Sequence, residues 1–169
     1  MNIILIGFMG TGKSSVGMAV AKELGWTYLD TDEQIEKQEN MPINDIFSIK
    51  GEAVFRDLET QLLGSFSQKD QLVLSTGGGM VLRDENVASM KKMGKLVLLT
   101  AKPEVVYERI KQETHRPLLK VADPLEEIRK ILGVRQPIYK KVADLEIDTS
   151  KLGVAQVAQK IVKYINEQN

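Results

Sequence analysis

The 169-residue sequence contains no cysteine and a single histidine. The lack of cysteine excludes disulfide bonds and thiolate metal sites, and it is compatible with a reducing cytoplasm. Twenty-three basic and 23 acidic residues give no net charge, so nothing favours general binding to nucleic acid or to a membrane surface. No apolar run approaches the ~20 residues of a membrane-spanning helix, and the first residues lead into a short strand rather than a signal peptide. We therefore expect a cytoplasmic globular protein.

The sequence is organised around the octapeptide Gly7–Ser14, GFMGTGKS, which fits the phosphate-binding pattern G-x-x-x-x-G-K-[ST]. Four apolar residues precede it and a helical apolar pattern follows, which is the strand–loop–helix context that this loop requires. Glycines allow successive N–H groups to point at phosphate oxygens, and the helix N-terminus adds donors and positive charge. Lys13 can reach the terminal phosphates, and the Ser14 hydroxyl can bind Mg²⁺. The loop residues predicted to bind a nucleoside triphosphate are Gly10, Thr11, Gly12, Lys13, Ser14 and Ser15.

Short apolar segments alternate with helical patterns along the whole chain. The predicted strands are 2–6, 26–29, 71–74, 96–99 and 144–147. Continuous apolar strands separated by helices are typical of a parallel sheet that is covered on both faces. The sequence therefore predicts one α/β domain, residues 1–169, with a five-stranded parallel sheet flanked by helices.

Two aspartates, Asp30 and Asp32, follow the second predicted strand. Ligands of open α/β sheets lie at the carboxyl ends of the strands, so both belong on the side of the phosphate-binding loop. One carboxylate can lie near Mg²⁺, directly or through water, and the other can accept a proton from a substrate hydroxyl. Either side chain can instead cap the helix that begins near Glu33, and capping does not exclude the other roles.

Three consecutive glycines, 77–79, follow the third predicted strand. Such a run is costly in chain entropy unless another group must approach the backbone. It predicts a loop whose N–H groups face a substrate or the γ-phosphate, with a tight strand–helix turn as the alternative. Further upstream, Arg56 precedes Glu59 by three residues in a predicted helix, a spacing that also allows an ordinary intrahelical ion pair.

A segment with weak periodicity and a proline, residues 113–120, separates two predicted helices. We interpret it, with its flanks from about 112 to 124, as a mobile lid. Arg116 within it can swing onto the phosphates and supply positive charge in the transition state. His115 is interpreted as a solvent-exposed neighbour rather than a catalytic base.

These motifs, in this order and spacing, resemble the shikimate kinase family along nearly the whole chain. The matching pieces are the phosphate-binding loop, 29–32, 45–47, 51–52, 55–56 with Glu59, 75–79, 116–119, and 135–143. The resemblance implies a P-loop kinase fold of the nucleoside-monophosphate-kinase variety. It also implies ATP-dependent phosphorylation of the 3-hydroxyl of shikimate, Mg²⁺ as cofactor, a role in aromatic amino acid biosynthesis, and a monomer.

The resemblance implies an acceptor site within about residues 32–62 and around the glycine run. Asp32 would hydrogen-bond the substrate hydroxyls and act as, or near, the base. Arg56 and Arg135 would clamp the carboxylate of shikimate, for which the planar guanidinium fork is chemically suited. Gly78 would offer its N–H to the substrate. The residues that would shape the loop and wall the ring are Gly77, Gly79, Phe47 and Phe55.

On the nucleotide side, the resemblance makes Arg116 the lid arginine on ATP and Arg109 the arginine that packs on adenine. Ser14 and Asp30 would hold the metal. Two departures from the family pattern are Met18, where an arginine is frequent, and 151–154, where some members carry an arginine or a proline. The alternatives are another small-molecule kinase, for gluconate or a nucleoside monophosphate, and a nucleotide-binding module without turnover.

Overall fold

The computed structural model describes residues 1–168, so the last position of the predicted domain lies outside the described residues. Five strands form one all-parallel sheet in the order β2-β3-β1-β4-β5. They are β1 (Asn2–Ile6), β2 (Thr27–Asp30), β3 (Leu72–Ser75), β4 (Gly94–Thr100) and β5 (Leu145–Asp148). The predicted five-stranded parallel sheet is therefore confirmed.

In the described part of the chain, eight helices connect and cover the strands. They are α1 (Lys13–Leu24), α2 (Thr31–Glu39), α3 (Ile43–Asp45), α4 (Glu52–Ser65), α5 (Asp84–Met93), α6 (Pro103–Ile110), α7 (Pro124–Val142) and α8 (Val154–Asn166). Shorter turns lie at Ile46–Lys50, Met80–Leu82 and Pro117–Lys120. Helix α7 continues through Gly133 and Pro137. None of the helices formed by residues 1–168 has the length and apolar character needed to cross a membrane.

The central strand β1 is buried on both faces of the sheet because helices pack against each face. Ile3 and Leu5 belong to a core that includes residues of α1 and α8. Ile4 and Ile6 point to the opposite face, into a core shared with α4 and α7. The period-two alternation of a strand divides the four apolar residues between the two cores, as expected for a sheet covered by helices.

Three predicted strands are displaced by one residue toward their polar carboxyl ends. Asp30 pairs with Ser75 across β2 and β3, and Thr100 pairs with Asp148 across β4 and β5. Backbone pairing extends the strands into these polar residues, which an apolar pattern does not detect. Gln71 has a φ of 55°, incompatible with an extended strand, so β3 begins one residue later than predicted.

Candidate active site

The phosphate-binding loop needs its glycines for space as well as for conformation. Gly7 has a φ of 139° and Gly10 a φ of 74°, which are values that other residues rarely adopt. A Cβ on Gly10 would lie 2.8 Å from the Ile110 side chain, and one on Gly7 would collide with the Leu99 carbonyl. The loop thus fits tightly between the end of β4 and helix α6, and α1 begins at Lys13.

The Lys13 ammonium lies inside the loop. Its Nζ donates to the carbonyl oxygens of Gly7 at 2.9 Å and Phe8 at 2.8 Å. Burial lowers the pKa of Lys13 to about 8, although the carboxylates of Asp32 and Asp30 oppose this shift. The cation is therefore desolvated at the place where phosphate charge would arrive, and this strengthens its electrostatic interactions.

Asp30 has two simultaneous roles. Its Oδ1 accepts from the N–H groups of Asp32 at 2.9 Å and Glu33 at 3.3 Å, so it caps α2. Its Oδ2 accepts from the Ser14 hydroxyl at 3.1 Å. Within residues 1–168 no cluster of three or more His, Cys, Asp or Glu side chains could hold a metal alone. A cation at Ser14 and Asp30 would therefore need further oxygen ligands, as Mg²⁺ takes from phosphates and water.

Asp32 differs from Asp30 because its carboxylate does not cap α2. Its Oδ1 is buried and finds no hydrogen-bond partner in the described part of the chain. Burial raises the pKa of Asp32 to about 6, with the charges of Asp30 and Glu59 adding to the rise and Lys13 opposing it. A carboxyl with a pKa near neutrality and an unused acceptor atom is suited to take a hydroxyl proton.

Gly77 is required because two carboxylates approach its α-carbon. A Cβ there would lie 2.8 Å from Asp32 Oδ1 and 3.0 Å from Glu59 Oε1. The Gly77 N–H donates to the Thr31 hydroxyl at 3.0 Å, which ties the loop to the start of α2. The prediction that a group must approach the backbone at the glycine run fits this geometry, and the groups here are acidic side chains.

The Arg56 guanidinium lies against the same loop from the side of α4. It donates to Glu59 at 2.8 Å and to Glu52 at 3.2 Å, so the intrahelical ion pair that the spacing allows is formed. Its Cζ lies 5.4 Å from the ring centre of Phe55 and 6.0 Å from that of Phe47. The guanidinium also occupies the space that a Cβ on Gly79 would need.

Glu59 is a site residue that sequence reasoning treated only as an ion-pair partner. Its side chain is fully buried, its Oε1 is unpaired among residues 1–168, and its pKa is raised by burial against the opposing effect of Arg56. The available signal is its position. It follows Phe55 by four residues and precedes Leu62 by three, which places a carboxylate on the apolar stripe of α4.

Helix α7 reaches the glycine run from the opposite side. A Cβ on Gly78 would lie 3.4 Å from Arg135 Nη1 and 3.5 Å from the Tyr139 hydroxyl. That hydroxyl donates to the Gly78 carbonyl at 2.6 Å. Arg135 and Arg56, far apart in sequence, thus approach neighbouring residues of one loop. Tyr139 lies in a matching motif of the sequence, but the motif alone does not indicate a role for its hydroxyl.

Arg109 joins the phosphate-binding loop to the loop after β5. Its guanidinium donates to the Gly10 carbonyl at 3.1 Å and to the carbonyl and hydroxyl of Thr149 at 2.8 and 3.0 Å. In the predicted lid, Arg116 pairs with Glu113, and its charge contributes to the low pKa of Lys13.

The remaining predictions concern exposed positions. The His115 side chain is exposed, as the sequence predicts, and its carbonyl accepts from the Asn44 amide at 2.6 Å. Met18, which departs from the family pattern, is also exposed on α1.

The parallel sheet and the glycine-rich loop between β1 and α1 define a nucleotide-binding protein of the P-loop class. The family model for shikimate kinase matches residues 9–166. A shikimate kinase of Thermodesulfovibrio yellowstonii is 51% identical over 162 residues, covering 96% of this chain and 93% of the relative. One of Pelotomaculum thermopropionicum is 42% identical, covering 99% and 97% of the two chains. The chain belongs to the shikimate kinase family.

A solved structure supports the same assignment. The shikimate kinase of Acinetobacter baumannii in complex with shikimate is 37% identical and superposes with a TM-score of 0.94. The match covers 99% of this chain and 94% of the solved one. Fold and sequence therefore agree along almost the entire length.

Proposed function

We infer that this chain transfers the γ-phosphoryl group of ATP to the 3-hydroxyl of shikimate, giving shikimate 3-phosphate and ADP in aromatic amino acid biosynthesis. The observation that carries the inference is the meeting of Asp32, Arg56 and Arg135 at one glycine loop beside the phosphate-binding loop, in a member of the shikimate kinase family. The related Acinetobacter baumannii structure contains shikimate.

For the acceptor, we propose that Arg56 and Arg135 bind the shikimate carboxylate. Both guanidinium groups lie beside the Gly78–Gly79 main chain, and each offers a planar pair of donors that matches a carboxylate. The N–H of Gly78 would bind a substrate hydroxyl, with Gly77 and Gly79 shaping the loop. The stacked rings of Phe47 and Phe55, whose centres are 4.7 Å apart, would wall the ring of the substrate.

For the transfer, we propose that Asp32 accepts the proton of the attacking hydroxyl. Its Oδ1, which no group within residues 1–168 occupies, leaves an acceptor free, and its pKa near 6 keeps it ionised at neutral pH while retaining affinity for a proton. Phosphoryl transfer needs little covalent chemistry from the protein, so positioning and charge are the main contributions. The positive charge would come from Lys13 and Arg116.

For the nucleotide, we propose that residues 10–15 hold the phosphates and that Arg109 lies against the adenine. Segment 112–124 would close as a lid, which excludes water that could otherwise take the phosphoryl group. The Ser14 hydroxyl and the Asp30 carboxylate are oxygen donors of the kind that Mg²⁺ prefers, and their 3.1 Å contact brings them together. Mg²⁺ held there would neutralise phosphate charge.

A coupled ADP-release assay with three acceptors tests the proposed function. We expect ADP formation with shikimate and background rates with gluconate or with nucleoside monophosphates. The Lys13→Met variant, assayed in parallel, controls for contaminating kinases. Turnover of gluconate or a nucleotide without turnover of shikimate would contradict the proposal.

We also propose that the enzyme acts as a cytoplasmic monomer on small molecules. Sedimentation equilibrium at two protein concentrations checks the oligomeric state. A mass of about 19 kDa at both concentrations is expected from the 18.9 kDa chain.

A further inference from the structure

Tyr139 places a buried hydroxyl on the main chain of the glycine loop. The side chain is 1% exposed, and its hydroxyl donates to the Gly78 carbonyl at 2.6 Å. A buried phenol needs a hydrogen-bond partner, and here the partner is a backbone group of the acceptor site. Burial raises the pKa of Tyr139 against the opposing charge of Arg135, so the hydroxyl stays protonated and remains a donor at neutral pH.

The hydrogen bond adds to others that anchor the glycine run, among them the bond from the Leu82 N–H to the Gly79 carbonyl at 3.0 Å. The Gly77 N–H donates to Thr31, and the Gly77 carbonyl accepts from the Met80 N–H at 3.1 Å. Tyr139 then holds the Gly78 carbonyl, and with it the plane of the Gly78–Gly79 peptide. Three glycines in a row have wide conformational freedom, so each anchor removes states that the loop would otherwise sample. The Gly78 N–H belongs to the preceding peptide, Gly77–Gly78, whose carbonyl is held by the Met80 N–H. The Tyr139 bond holds the second peptide of Gly78, so this residue is anchored on both sides.

The same helix turn presents Arg135 to the loop. Arg135 and Tyr139 are four residues apart on α7 and therefore lie on one face of the helix. Both approach Gly78, the arginine through Nη1 and the tyrosine through its hydroxyl. The Tyr139 bond therefore holds the Gly78 main chain against the face of α7 that also carries Arg135.

We propose that Tyr139 is a positioning residue for the acceptor substrate, holding the Gly78 main chain in register with Arg135 so that the carboxylate and hydroxyl contacts form together. The proposal rests on the proposed function, in which Arg135 and Gly78 contact shikimate. Tyr139 itself acts through those two residues. Its effect is therefore expected on acceptor binding and not on nucleotide binding.

The Tyr139→Phe variant removes the hydroxyl and keeps the ring in the core. We expect the KM for shikimate to rise about three- to tenfold, the loss associated with one hydrogen bond, while the KM for ATP stays within about twofold. The matched control is Tyr164→Phe on α8, which removes the same atom from a half-buried tyrosine in the opposite core. The control should leave both KM values unchanged.

Calorimetric titration with ADP verifies that the Tyr139→Phe variant retains a folded nucleotide site. An unchanged KM for shikimate overturns the proposal, and so does an equal rise in both KM values or a loss of thermal stability alone. If Tyr139→Phe fails to bind ADP, the tyrosine supports the whole fold and the proposal is likewise overturned. Wild-type protein that does not phosphorylate shikimate would instead contradict the proposed function, which separates the two failures.

Discussion

Asp32 and Glu59 each place a buried carboxylate oxygen, unpaired among residues 1–168, beside the α-carbon of Gly77. Two acidic groups so close together in a desolvated place disfavour each other's charge, and the charge of Glu59 contributes to the raised pKa of Asp32. Arg56 partly offsets the charge of Glu59 through their 2.8 Å hydrogen bond. The proposed base and the proposed carboxylate clamp are therefore electrostatically linked through one glutamate.

The first prediction concerns the pH dependence of the rate. If Asp32 must be ionised to accept the proton, kcat/KM for shikimate should fall below about pH 6, the pKa to which burial and the charges of Asp30 and Glu59 raise it. Glu59→Gln removes one of those negative charges, so the acid limb should move to lower pH. Initial rates from pH 5 to pH 8 give the profile. The control is Glu85→Gln, which changes an exposed glutamate and should keep the wild-type pH profile. If the acidic limb of Glu59→Gln lies at the same pH as that of the wild type, the electrostatic link is wrong.

The Asp32→Asn variant should be less active than the wild type. It should also be more stable, by an amount that depends on pH. We expect kcat to fall by about 10²- to 10⁴-fold, the usual contribution of a positioned base. The folded-state pKa of Asp32 lies above its unfolded value of 3.8, so the folded protein loses stability as the pH rises from about 4 to about 6. Thermal melts should therefore show a larger stabilising effect of the substitution at pH 7.5 than at pH 4. If Asp32→Asn is more stable than the wild type but equally fast, the proposed role of Asp32 as the base is wrong.

Lys13→Met should abolish turnover without unfolding the protein, because the lysine is proposed to meet the phosphates and a methionine can fill its buried position. The wild-type kcat/KM for ATP should also decline above about pH 8, where the free enzyme begins to lose the Lys13 proton. Steady-state rates and circular dichroism measure both effects. Lys22→Met, which changes an exposed lysine on the same helix, should behave as wild type. Near-wild-type turnover in Lys13→Met would refute the assignment.

Gly79→Ala should weaken acceptor binding, because the new methyl group would displace the Arg56 guanidinium. The KM for shikimate should rise by about tenfold or more, with the KM for ATP little changed, as also expected for Arg56→Ala. Gly64→Ala is the control: nothing lies within 4 Å of a Cβ there, so it should stabilise helix α4 by about 0.5–1 kcal/mol and leave both KM values unaltered. Equal KM values in Gly79→Ala and wild type would remove the support for the clamp.

The sequence was sufficient for the fold and for locating the glycine-rich loop between β1 and α1, because both depend on local patterns. The octapeptide with its lysine is contiguous, and the alternation of apolar segments with helical patterns specifies a parallel sheet. For Asp30 the sequence left helix capping and a place near the cation open together, since a carboxylate after a strand can cap a helix and still contact a neighbouring hydroxyl. The structure assigns the cap to Asp30 and leaves Asp32 without it.

The acceptor side depended on contacts between residues far apart in the chain. Arg56 and Arg135 are separated by 79 residues, and only the packing of α4 and α7 around the glycine run brings both to it. From the sequence alone, Glu59 is predicted only as half of an intrahelical ion pair, and the structure shows that its side chain is buried. The hydrogen bond from the Tyr139 hydroxyl to the Gly78 carbonyl is likewise visible only in the structure. The sequence by itself determined the fold, the family and the phosphate-binding loop. Tertiary structure alone decided which side chains are desolvated together, because burial and charge proximity are properties of packed segments and not of local sequence.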